Sequence, residues 1–503
     1  MRESDHAITH GSRASGVLLH PTSLPGRFGI GDLGREATEF IDFLARAGQR
    51  LWQVCPLGPT GYGDSPYQCF SAFAGNPFLI DMEQLVSDGL LEESDLASAP
   101  PVGDRVDYGS LIPWKTRLLR TAYAKFQRDA GARLRARLRQ FAHLHARWLD
   151  DYALFMALKD AHEGRSWTEW EPALRDREPG AVARFTREHE ERIGRSAFLQ
   201  WLFHTQWFAV RAQAGSYGIR IIGDLPIFVA HDSADVWAHR ELFLLDPLGK
   251  PTVVAGVPPD YFSATGQLWG NPIYDWEAHR ESGFSWWIDV LSSKFALYDY
   301  VRIDHFRGFS AYWAVPADEP TAMGGSWVPS PGKELFETAA RQIGRLPVIA
   351  EDLGVITPDV VELIEHFGFA RMKVLQFAFQ AAERNDYLPF RYERNAIVYT
   401  GTHDNDTVAG WFATAGDADR AFALEYLQSD GSDLSWDFVR AALASAAQFA
   451  VIPAQDLLGL GSEARMNTPG TTGGNWAYRL ASGALTDATA DRLRALCGLY
   501  GRL

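Results

Sequence analysis

Three acidic residues stand where short apolar runs stop. Asp304 closes Tyr300-Val-Arg-Ile-Asp304, Glu351 closes Pro347-Val-Ile-Ala-Glu351, and Asp404 lies just past Ala396-Ile-Val-Tyr-Thr400. One acid after a strand is ordinarily an N-cap for the next helix. Three such acids, converging on one pocket, are hard to explain as structure and suit paired acid/base and nucleophilic work. Arg302 is two residues before Asp304 and therefore shares its strand face, where a cation would hold Asp304 ionised as a nucleophile requires. Glu351 follows Val-Ile-Ala, so desolvation should keep it protonated, as a general acid requires. Asp352 beside it is expected to face away or to cap a helix. His305 and His403 adjoin two of the acids and could donate to sugar hydroxyls or carboxylates. A cation site is a second reading of Thr402-His-Asp-Asn-Asp-Thr407, but the spacing fits neither an EF-hand nor a HExxH site, so no metal is expected.

These acids need a scaffold that gathers strand ends. Apolar runs at residues 16–20, 51–55, 219–224, 300–304, 347–351, 372–376, 396–400 and 464–467 read as eight strands, with helical patterns between most of them. That rhythm predicts a (β/α)8 TIM barrel, whose sites lie at the C-terminal strand ends. The expected organisation is one catalytic barrel over residues 1–503. Residues 57–215 would be a mainly helical insertion after strand two. Residues 225–298 would be a second insertion after strand three, with an aromatic and glycine-rich loop at 256–271. No C-terminal β domain is expected. Tyr62 and Tyr67 in a Gly/Pro loop, and Trp269 in the second insertion, could stack on pyranose faces and exclude water.

Composition removes other classes. The 503 residues carry 48 basic and 63 acidic side chains, a net charge of −15, which argues against nucleic acid and anionic membranes as partners. Cys55, Cys69 and Cys497 form no CxxC pair. Polar N-terminal residues without an apolar core argue against a signal peptide, so a cytoplasmic location with reduced thiols is expected. Gly29-Ile-Gly-Asp-Leu-Gly34 fits G-x-G-x-x-G, but it does not directly follow a strand, and the second strand ends in Cys-Pro rather than an acid. No cofactor is expected.

At these residues the sequence resembles glycoside hydrolase family 77 of the α-amylase clan, the amylomaltases or 4-α-glucanotransferases. The resemblance rests on Arg302-Ile-Asp-His-Phe-Arg-Gly-Phe309, Ile349-Ala-Glu-Asp-Leu-Gly354 and Thr402-His-Asp-Asn-Asp-Thr407. Leu18-Leu-His-Pro-Thr-Ser-Leu-Pro25, residues 61–67, Phe73-Ala-Gly-Asn-Pro77 and residues 256–269 are similar too, so it spans nearly the whole chain. It implies Asp304 as nucleophile, Glu351 as acid/base and Asp404 as transition-state stabiliser. It implies substrate contacts from Arg302, His305, His403, Tyr62, Ser65, Tyr67, Asp260, Trp269 and Asn475. It further implies a monomer acting on α-1,4-glucans and maltooligosaccharides, with glucose as an acceptor. A plain retaining α-glucan hydrolase, a silent glucan-binding protein and a metal-dependent barrel hydrolase are the rival readings.

Overall fold

A computed structural model describes residues 13–503 apart from 260–262, 355, 381–385 and 472; the side chain of Tyr62 also lies outside the described residues. Twelve strands are present among them. They are β1 Ala14–Leu18, β2 Leu51–Gln53, β3 Arg220–Pro226, β4 Val253–Val257, β5 Gln267–Pro272, β6 Tyr300–Asp304, β7 Ala311–Pro316, β8 Ser326–Pro329, β9 Val348–Ala350, β10 Ala370–Val374, β11 Ala396–Tyr399 and β12 Phe449–Pro453. Eight of them close a barrel in the order β1-β12-β11-β10-β9-β6-β3-β2. Every pairing within it is parallel.

Alternation gives each barrel strand two apolar faces. Leu18, Leu51, Ile222, Tyr300, Ile349, Met372, Ile397, Tyr399 and Val451 pack together as one cluster. Their neighbours in the chain, such as Val17, Trp52, Ile221, Val301, Ile303 and Val398, join the larger core that includes the helices. Strands buried on both faces read as continuous apolar runs, which is why pattern alone locates them. Inside the barrel the Tyr399 hydroxyl donates to Gln53 Oε1 at 2.8 Å.

The eighth strand is a correction. Residues 464–467 do not form it: Ser462–Ala464 is a 3-10 turn, and Asn467 donates its N–H to the carbonyl of His403. The strand is Phe449–Pro453, an apolar run soon after the helix Leu434–Ala444, paired with both β1 and β11. Residues 464–467 carry Arg465 and Asn467, and polar groups of that kind suit a loop that serves a site.

Between β2 and β3 the long helices are Tyr108–Asp129, Ala132–Ala161 and Glu190–Ser216. Asp107 caps the first by accepting from the N–H of Ser110. The stretch around residues 256–271 is not one loop. It contains the hairpin β4–β5, which joins β7 and β8 in an antiparallel sheet of order β5-β4-β7-β8. β6, the strand of Asp304, lies in sequence between the two halves of that sheet.

Candidate active site

The parallel register of β3 and β6 sets Asp224 opposite Arg302 and Pro226 opposite Asp304. Arg302, only 3% exposed, donates from Nη1 to Asp224 Oδ2 and from Nη2 to Asp304 Oδ1, both at 2.7 Å. Burial would weaken the guanidinium charge, but Asp224 and Asp304 outweigh it and raise the Arg302 pKa. Asp304 therefore presents one oxygen fixed by a permanent cation, at the last position of its strand.

Glu351 follows β9, which pairs with β6. Its Oε2 accepts the backbone N–H of His305 at 2.7 Å, and Oε1 that of Leu353 at 2.8 Å. Burial, reinforced by the charge of Asp304, pushes its carboxyl up to about 7 against the pull of Arg302. His305 has φ 51, the left-handed region that a non-glycine residue enters at a cost of order 1 kcal/mol or more. The strained turn is what sends the chain from Asp304 past Glu351 with an N–H available to it. Among the described residues seven non-glycine residues have positive φ, and three of these, Asp64, His305 and Trp476, line the same cleft as the acids.

Asp404 is held differently. His403 Nε2 lies 3.1 Å from Oδ2, and Asn467 Nδ2 donates to Oδ1 at 2.6 Å. Burial acts to raise this carboxyl, but His403 and Asn467 hold it down to about 2. For His403 the burial penalty is outweighed by Asp404, which raises its pKa. His403 stacks on Tyr67 with ring centroids 5.0 Å apart, and the Tyr67 hydroxyl donates to Asp224 at 2.9 Å. The rest of the 402–407 segment serves itself. Asn405 accepts from Thr402, and Asp406 accepts from the N–H of Thr407 and the hydroxyl of Ser462.

Asp304, Glu351, Asp404, Arg302, His305, His403, Ser65, Tyr67, Trp269 and Asn475 all line one cleft of about 630 Å³. Asp260 and the Tyr62 side chain lie outside the described residues. Ser65 fixes its own turn by accepting the Tyr67 N–H at 3.2 Å. Asn475 folds the neighbouring loop by accepting from Thr468 and donating to Thr471. Trp269 stands on β5, not on a loop, and meets the His305 ring edge to face at 4.8 Å. Burial lowers the His305 pKa to about 4, so this imidazole is neutral at pH 7. Asp352, two residues past β9, lies away from the cleft, where Arg371 Nε donates to it at 2.6 Å; it caps no helix.

Sequence reasoning missed Asp224 and Asn467. Asp224 carried the same signature as the three acids, an apolar run ending in a carboxylate. Asn467 had none, because it reaches Asp404 from a loop 63 residues away.

A family model described as 4-alpha-glucanotransferase matches residues 19–486. A 4-alpha-glucanotransferase of Thermus thermophilus is 52% identical, covering 98% of this chain and 99% of its own. The chloroplastic/amyloplastic 4-alpha-glucanotransferase of Arabidopsis thaliana is 46% identical, over 98% of this chain and 86% of its own. The amylomaltase of Streptococcus agalactiae in complex with acarbose superposes with a TM-score of 0.95 at 41% identity, over 97% of this chain and 99% of that one. The chain belongs to glycoside hydrolase family 77, the 4-alpha-glucanotransferases.

Proposed function

We propose that this enzyme moves α-1,4-glucan segments from one maltooligosaccharide or starch chain to the 4-hydroxyl of another by a retaining double displacement. The carrying observation is two carboxyls at the ends of neighbouring strands in one cleft: Asp304 bound by Arg302, and Glu351 pushed up to about 7. Neighbouring strands lie about 4.8 Å apart. That suits a retaining pair, whose carboxyls stand roughly 5 to 5.5 Å apart. Glu351 gives its proton to the glycosidic oxygen while an Asp304 oxygen attacks the anomeric carbon. The C–O bond breaks, the leaving chain departs with its 4-hydroxyl restored, and a β-linked glucosyl ester remains on Asp304. Glu351, now a carboxylate, takes the proton from an incoming 4-hydroxyl as that oxygen displaces Asp304 and restores the α linkage. Asp404, ionised throughout, and the neighbouring His403 stabilise the cationic sugar between the two states.

Arg302, His305, Tyr67, Ser65, Asn475 and Trp269 hold the sugars in this scheme, and Tyr62 and Asp260 add contacts further along the chain. Trp269, lining the cleft, favours a sugar hydroxyl over water as acceptor. Glucose and short maltooligosaccharides serve as acceptors, no cofactor takes part, and the enzyme works as a cytoplasmic monomer. Among the described residues no helix is long and apolar enough to cross a membrane.

Incubation with maltotriose, with total reducing ends tracked, tests the reading. A ladder of longer and shorter products plus glucose at constant reducing ends is expected, and Asp304→Ala should abolish it, by at least about 10⁴-fold. Rising reducing ends with only shorter products would make the enzyme a hydrolase. Activity retained in Asp304→Ala would sink the nucleophile assignment.

A further inference from the structure

One face of the antiparallel sheet lies in the main core; the other is roofed over Val254 and Val315 by the turn Ala322–Gly324 and is open only toward its two edges. Ala255, Tyr312 and Ala314 are buried in the main core. Alternation therefore puts Gly256 and Trp313 on the opposite face. The register pairs Leu268 with Gly256, Gly256 with Trp313, and Trp313 with Trp327. Directly paired residues share a face, so these four form one row across β5, β4, β7 and β8, about 14 Å long at the usual strand spacing. Its two ends are open to water: Leu268 is 41% exposed and Trp327 39%. Gly256, in the middle, has no side chain to interrupt the row.

Trp327 is braced although it stands on an edge strand. The Arg307 guanidinium lies 3.8 Å from its ring centroid, and Trp313 meets it edge to face at 5.2 Å. Trp313 is itself anchored, donating Nε1–H to the carbonyl of Ala322 at 2.8 Å. At the other end the row runs into the site already described, because Leu268 lines the cleft of the three acids. A braced, part-exposed Trp327 in one row with Leu268, which borders the cleft, offers what one face of a pyranose needs: its C–H groups pack on a ring while its hydroxyls stay in water.

We infer that this row is a second glucan track, on which the part of a long α-1,4-glucan beyond the cleft lies against Leu268 and Trp327. The inference rests on the glucanotransferase reading above. Trp327→Ser should raise the half-saturating amylose concentration about tenfold, equivalent to about 1.4 kcal/mol of binding. Maltotriose kinetics should not change, because a trisaccharide is accommodated within the cleft. Trp327→Phe should restore most of the amylose affinity. If the serine variant fails to fold, Trp327→Leu keeps apolar bulk without a ring and should show the same selective loss. In native gels containing amylose, the unaltered protein should be retarded and the ring-less variants less so.

Equal effects on amylose and maltotriose, or none on either, would overturn the track. So would a dimer seen by light scattering that the Trp327 variants lose, since a second copy would then occupy the row. Absence of maltotriose turnover in the unaltered protein would count against the glucanotransferase reading instead, while gel retardation would still report on the track.

Discussion

Arg302 and Lys115 are both shielded cations near two carboxylates, yet their surroundings end differently. Lys115, on the helix Tyr108–Asp129, donates to the carbonyls of Phe78 and Ile80 at 2.7 and 3.0 Å. Burial pushes its ammonium down, and nearby Asp32 and Asp81 oppose that. Those acids are themselves engaged: Asp32 accepts from the Gly34 N–H, and Asp81 caps Met82–Ser87 by accepting from Glu83. Around Arg302 one partner is buried and the other open. Asp224 Oδ1 is buried with no partner among the described residues, and the Asp304 side chain reaches the cleft. Buried charge is thus no mark of function by itself. The mark is a charged set one of whose carboxylates, here Asp304, opens on a space where a substrate fits.

Substitutions should separate the two regions. After Asp304→Ala, the largest effect is expected for Glu351→Gln, about 10²- to 10⁴-fold in turnover. The first step needs the protonated carboxyl, and with its pKa near 7 the proton is lost as pH rises. Turnover of the unaltered enzyme should therefore fall as pH passes about 7, and the glutamine variant should lack that limb. The same limb in the variant would show that another group supplies the proton. In the closed set, Lys115→Met should lower stability in urea by about 3 kcal/mol, because it strands two carbonyls and leaves Asp32 and Asp81 without their cation. Turnover per folded molecule should not move. If turnover drops while stability holds, the contrast between the regions fails. The smallest effect belongs to Tyr67→Phe, which removes one donor from Asp224. It should cost about 1 kcal/mol in stability. Turnover should fall several-fold through a less fixed Arg302, and an unchanged kcat would place Tyr67 outside the working set.

What was legible in the sequence follows from the same physics. Strands buried on both faces announce themselves as apolar runs, so seven of the eight barrel strands lie close to where pattern puts them. The eighth was misplaced because Phe449-Ala-Val-Ile-Pro453 comes soon after a helix, while Ala464-Arg-Met-Asn467 stands alone between loops. The three acids were legible because strand ends in a barrel converge. The sheet β5-β4-β7-β8 was not, since its strands interrupt their apolar residues with glycine, proline and polar residues and pair across β6 in the chain. Asn467 was not legible for a related reason: its partner is fixed by tertiary placement rather than by local pattern.

The barrel seam carries a consequence for synthesis. β1 pairs with β2 on one side, but its other edge meets β12, Ala14 opposite Phe449. A chain made N-terminus first therefore exposes an unpaired apolar edge for about 435 residues of elongation, roughly 20 to 90 seconds at ordinary rates. During that interval the first strand is a template for any extended segment nearby. By contrast β4, β5, β7 and β8 lie within residues 253–329, so their sheet can assemble as a local unit well before the barrel closes.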